Sequence, residues 1–211
     1  MPSGLVRWGA WAGMLGGLMW ALFPLATVLV SLKNTQPGSL AHLAAAGVYW
    51  LMAVLALLLL LVGLAGLRAL HGPAYRRVGN VGFLASFIAL ALMLLGNAAE
   101  VASLTFSGTE SSVGHSMFLI GFLVLLVGSV LLGIAIVRTR SVPSVRLGGL
   151  LLVGALPLGI LLAIILGVTA PGTDLGFWAA ITVPYGVAWL LVGYALISAR
   201  GATTEQPSRA I

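Results

Sequence analysis

The chain has no cysteine, a single lysine and only four acidic residues among 211. The lack of cysteine excludes disulfides, thiolate catalysis and thiolate metal sites. The lone lysine, Lys33, falls in a loop, so no buried amine stands ready for a retinal Schiff base. Charge is scarce throughout: 7% of residues are charged against 61% hydrophobic, with a mean hydropathy of +1.16. That is too little polar surface to cover a water-soluble globule of this length, so lipid must be the solvent. The sequence also lacks a phosphate-cradling loop, a zinc-type histidine spacing and a serine nucleophile elbow. No basic surface is interleaved with aromatics, which excludes nucleic acid as a partner.

What the sequence does have is long apolar runs. A span of roughly 20 apolar residues crosses the hydrocarbon core, and six segments meet that length, at about 8–32, 43–67, 79–104, 116–137, 147–168 and 175–198. They predict an all-α integral membrane six-helix bundle forming a single domain, with residues 199–211 as a short tail. The first run is longer than the ~7–15 residues of a signal-peptide core, so it reads as a retained helix. Continuous runs also argue against a β-barrel, whose strands alternate in polarity.

Nine of the ten basic residues fall beside alternate ends of these spans. Arg7, Arg68, Arg76, Arg77, Arg138, Arg140, Arg146, Arg200 and Arg209 share one side, and Lys33 stands opposite. Under the positive-inside rule this places both termini in the cytoplasm of a cell with the protein in its inner membrane. The net charge of +6 then reflects topology and attraction to anionic headgroups.

A register of about 70 residues runs through the chain. Odd-numbered spans open with Arg7-Trp8-Gly9, Arg77-Val78-Gly79 and Arg146-Leu147-Gly148, and Gly63 and Gly133 repeat the offset at the ends of even-numbered spans. The reading is three tandem helical hairpins in parallel orientation, which disfavours an inverted-repeat transporter. Three-hairpin carriers of the mitochondrial type share the helix count, but their charged proline signatures are missing here. Gly9, Gly13 and Gly17 form a ladder of small residues that admits a close neighbour, either within the chain or in a second copy or partner subunit. Pro24, Pro157 and Pro184 lie inside spans and predict kinks. Trp8, Trp11, Tyr49, Trp50, Phe177 and Trp178 read as interface anchors, with Trp20 and Trp189 deeper.

An ionisable side chain within a span is a functional-site hypothesis by default, and only Glu100 qualifies. Asn97 and Ser103 flank it at three residues, giving one polar face with Ser86 roughly below, near the outer end of the third span. His115 opens the fourth span after a short loop carrying Glu110, so a hairpin brings it towards Glu100. His42 and Asp174 open the second and sixth spans in the same manner, and Asp174 has the character of an N-cap. Together these residues outline an outward-facing vestibule. The binding candidates are therefore Asn97, Glu100, His115 and Ser103, with His42 and Asp174 weaker. No catalytic residue, metal site or cofactor is expected. Haem ligation by His42 and His115 is disfavoured because neither lies well inside a helix.

The segments GNAAE (96–100), GHSMFLIG (114–121) and LLGIAIVRTRSVP (131–143) resemble those of uncharacterised bacterial multi-pass membrane proteins of six helices. In that group an Asn and a Glu close one helix and a Gly-His pair opens the next. The resemblance implies no activity, but it groups Asn97, Glu100 and His115 as a unit. Three functions remain open: binding or transport of a small solute or ion near the outer face, an accessory or structural subunit assembled by helix packing, and an enzyme acting on a lipid headgroup.

Overall fold

The computed structural model describes residues 3–29, 36, 38–71, 75–139, 143–169 and 175–204. Helix α1 covers Ser3–Leu29. The second span comprises α2 (Leu40–Tyr49), a π-helical turn (Trp50–Leu55) and α3 (Ala56–His71). Four long helices follow: α4 (Arg77–Ser107), α5 (Ser112–Arg138), α6 (Pro143–Thr169) and α7 (Leu175–Thr204). Six helical segments are long and apolar enough to cross a membrane, and no strand occurs among the described residues. The expected all-α six-helix bundle is the observed fold.

Most helices overrun the apolar runs that announce them. Backbone hydrogen bonding continues into the headgroup layer, whereas hydropathy marks only the hydrocarbon part. Thus α4 starts at Arg77 and ends at Ser107, and α7 continues to Thr204, so the first residues of the expected tail are helical. Lys33, Asp174, Arg140 and Arg209 lie outside the described residues.

Glycine sets how closely the helices approach. A Cβ on Gly9 would stand 2.5 Å from the Gly66 Cα, and one on Gly63 would stand 2.7 Å from the Gly13 Cα, so α1 and α3 touch backbone to backbone in antiparallel register. Gly17 meets the carbonyl of Gly186, which joins α1 to α7. The ladder of Gly9, Gly13 and Gly17 is therefore filled by the chain's own α3 and α7. The same logic closes α4 on α5, where Gly82 faces Leu132, Gly128 faces Ser86, and Gly96 and Gly114 face each other. Gly148 seats Val192 of α7, and Gly133 faces Gly149 across α5 and α6.

Gly9, Gly79 and Gly148, one register apart in sequence, each face the returning helix of their own hairpin, at Gly66, Ala135 and Val192. The chain thus folds as α1–α3, α4–α5 and α6–α7. Packing of α1 on α7 and a smaller contact of α3 with α4 close the six segments into a ring. Every described arginine falls at one end of this ring, because the hairpins are antiparallel and all begin there.

Aromatic side chains fill the interior of the opposite half. Trp20 stacks on Phe23 at 5.7 Å, and Phe23 meets Tyr49 at 5.7 Å and Trp178 at 5.1 Å. Phe118 reaches both Trp20 and Trp178. Tyr49 and Trp178 are thus half-buried members of a four-helix cluster, a correction to their reading as interface anchors. Trp8, at 65% exposure, and Trp11 lie on the outside of the bundle. Aromatic pairs of this geometry contribute about 0.5–1.5 kcal/mol each beyond their burial.

Candidate functional site

The loop from α4 to α5 is built by its own end groups. Gly108, at φ 68°, takes the left-handed conformation that ends α4, and its N–H donates to the Leu104 carbonyl. Ser111 then caps α5, its hydroxyl accepting from the Gly114 N–H at 3.0 Å. This is the usual service of a serine N-cap, which satisfies one of four orphan donors. Ser39 does the same for α2, accepting from the His42 N–H.

Glu100, half-buried about two turns before the end of α4, sends Oε2 across to the Ser111 N–H at 3.1 Å. The carboxylate therefore sits at the positive end of α5, where the helix dipole favours a negative group. One link holds the last turns of α4, the loop and the start of α5.

His42 performs the corresponding task at the end of α4. Its ring is buried, 1% exposed, with Nε2 3.1 Å from the Thr105 carbonyl. A carbonyl only accepts, so Nε2 carries the hydrogen and donates. Thr105 is among the last residues of α4, whose carbonyls have no partner within the helix. His42 thus caps α4 from α2, a bond spanning 63 residues of sequence. The sequence sets it beside an outward-facing vestibule as a weaker binding candidate; the structure buries its ring against α4.

The candidates do not converge on one cavity. Gly114 turns towards α4, with Glu100 N 3.0 Å from its added Cβ, which rotates the next residue, His115, away from that contact. His115 is exposed and its ring makes no hydrogen bond to another described side chain. The expected approach of His115 to Glu100 is replaced by the Ser111 N–H. Ser103 is half-buried and sits 3.4 Å from Ser107, whose own hydroxyl returns to the Ser103 carbonyl. Asp174 lies outside the described residues. No group of three or more metal-ligating side chains occurs among the described residues.

Asn97 differs from the others. It is 6% exposed and its amide nitrogen has no hydrogen-bond partner, and Ser86 Oγ, at 1% exposure, has none either. Eleven residues of α-helix separate them, roughly 16 Å along one face. An orphaned buried donor costs about 1–3 kcal/mol.

Two further polar sites were not announced by the sequence. Ser129 Oγ and Tyr185 Oη pair at 3.1 Å inside the core, linking α5 to α7. At the arginine-bearing end, Arg68 donates to Asn80 Oδ1 and lies over the Phe83 ring at 5.1 Å, fastening α3 to α4. Tyr75 is buried beside this group, and burial pushes its hydroxyl well above its ordinary value while Arg68 works weakly the other way. A serine and a tyrosine in apolar runs carry no sequence signal beyond their polarity, and both partners are far away in the chain.

No family model, curated protein or solved structure matches the chain.

Proposed function

We propose that this protein is an accessory or structural subunit of a bacterial inner membrane, with both termini cytoplasmic. The observation that carries the reading is the bond from Glu100 Oε2 to the Ser111 N–H. The one carboxylate within a span serves a helix end, as does His42 on the Thr105 carbonyl. These are the groups that a proton-coupled or cation-coupled site near the outer face would have used. The orientation rests on the described arginines standing at one end of the ring.

The test is thermal unfolding of the purified wild type and of Glu100→Gln in detergent from pH 4 to 9, with a panel of cations and small polar solutes. A modest loss of stability in the variant, independent of every solute, is the expected result. Stabilisation by a cation or solute that Glu100→Gln abolishes overturns this reading and establishes a binding site.

A second reading, binding of a small polar solute within the bundle, is favoured by the unpartnered Asn97 amide and Ser86 hydroxyl on one face of α4. Asn97→Leu discriminates between the two. Under the accessory reading it is neutral or stabilising because it removes a buried orphan; under the solute reading it abolishes solute-dependent stabilisation.

A further inference from the structure

At the arginine-bearing end, α4 begins and α5 finishes around a cavity of about 800 Å³. Arg76 and Arg77 line it from the start of α4, and Arg138 lines it from the last turn of α5. None of the three is paired with a described acidic group. The described acids, Glu100 and Glu110, stand at the other end of the hairpin, Glu100 on the order of 35 Å up α4. Three guanidiniums thus share one cavity with their charge unanswered by any described acid, and arginine stays protonated at any working pH.

The backbone of the cavity has the same sign. Arg76 is the N-cap residue of α4 and makes no side-chain cap, since a guanidinium has no acceptor to offer. The first intrahelical donor is the Asn80 N–H, bonded to the Arg76 carbonyl. The N–H groups of Arg77, Val78 and Gly79 precede it, and all three residues line the cavity. At the opposing end of α5 the Ala135 and Ile136 carbonyls are answered: the Thr139 N–H donates to both, and its hydroxyl to Ile136.

Apolar residues complete the lining. Val78 and Ile134 take part, and Val78 is 40% exposed, with Val81 one turn further at 56%. Cationic donors stand over an apolar wall at the end of two spanning helices, which is the level of the headgroups. We propose that this cavity binds the phosphate of an anionic phospholipid, with Arg76, Arg77 and Arg138 on the headgroup and an acyl chain along Val78 and Val81. Arginine forks match phosphate oxygens in pairs, and basic pockets between spanning helices are suited to such headgroups.

The test is thermal unfolding of the purified protein in neutral detergent micelles doped with phosphatidylglycerol, or with phosphatidylcholine as the neutral control. Saturable stabilisation by phosphatidylglycerol and none by phosphatidylcholine is expected. Arg77→Gln/Arg138→Gln should raise the half-saturating lipid fraction on the order of tenfold per arginine removed. Arg146→Gln removes one such charge from the same end outside the cavity, and should shift it several-fold less per charge removed. Arg77→Lys/Arg138→Lys, which keeps the charge and loses the fork, should fall between them. If the glutamine variant fails to fold, native mass spectrometry of lipid retained by the wild type and the lysine variant decides in its place. Equal response to both lipids, or equal loss per charge removed in Arg146→Gln and the cavity variant, overturns the proposal. So does inorganic phosphate in phosphatidylcholine micelles reproducing the whole effect with the same arginine dependence, because the ligand is then a soluble anion.

Discussion

The two ends of the α4–α5 hairpin handle the same problem in opposite ways. At the loop end every helix terminus meets a side chain of the protein: Glu100 takes the Ser111 N–H, Ser111 takes the Gly114 N–H, and His42 gives to the Thr105 carbonyl. At the arginine end α4 begins with no side-chain cap, and three arginines surround its first turn without an acidic partner among the described residues. Titratable groups at the first end hold the fold together. At the second, Arg76, Arg77 and Arg138 pair with no described acidic group.

Substitutions that disturb one end at a time sharpen this contrast. Gly96→Val should have the largest effect, because its Cβ would stand 2.6 Å from the Gly114 carbonyl and the Phe118 N–H nitrogen, both backbone. Overpacking of this type costs about 1–3 kcal/mol or more, a fall in melting temperature of roughly 3–10 °C for a chain of this size. Gly79→Val at the arginine end meets side chains of Ala135 and Tyr75 instead, and should cost less. If the two glycines are equally sensitive in detergent unfolding, the loop end is no tighter than the other.

His42→Ala comes next, removing a buried ring and leaving the Thr105 carbonyl unmet, at a cost of about 1–3 kcal/mol. Glu100→Ala should cost about 1–2 kcal/mol and Glu100→Gln less, since glutamine keeps an acceptor for the Ser111 N–H. Equal losses in the two Glu100 variants would mean that charge, not hydrogen bonding, is what the site requires.

Tyr75 offers a test at the arginine end that depends on pH. Its hydroxyl titrates above the ordinary value of 10.0 because burial disfavours the phenolate. The folded state therefore holds its proton longer than the unfolded chain, so this contribution is complete below pH 10.0 and is lost as the pH climbs beyond it. Unfolding curves of Tyr75→Phe should decline less steeply than wild type in that alkaline range; parallel curves would show that the ring is solvated. The smallest effect belongs to Arg77→Gln/Arg138→Gln in neutral detergent, within about 0.5 kcal/mol of wild type, as befits exposed side chains that pair with no described acid. A large loss there would mean that the arginines already have a structural role.

The spans were legible in the sequence because hydropathy over 20 residues is a sum, insensitive to local detail. The hairpin order followed from alternating arginines for the same reason. The ladder of Gly9, Gly13 and Gly17 was legible as a close contact, but not its occupants, since spacing on one helix says nothing of which neighbour fills it. Glu100 was legible as unusual, yet its partner is a backbone N–H eleven residues on, which no side-chain pattern marks. His42 and the Tyr49–Phe23–Trp178 contacts are longer-range still, so an interface position and a core position looked alike. The π-helical turn at Trp50–Leu55 had no sequence mark either; it faces α1, where Gly16 abuts the Ala56 carbonyl immediately after it.

Amide hydrogen exchange, read residue by residue on the wild type and on Glu100→Ala, addresses the contrast between the two ends most directly. The expected result is slow exchange at Ser111 and Gly114 in the wild type, faster exchange at Ser111 alone in the variant, and fast exchange at Val78 and Gly79 in both. Rapid exchange at Ser111 in the wild type, or protection of Val78 and Gly79 in neutral detergent equal to that at the loop end, would contradict it.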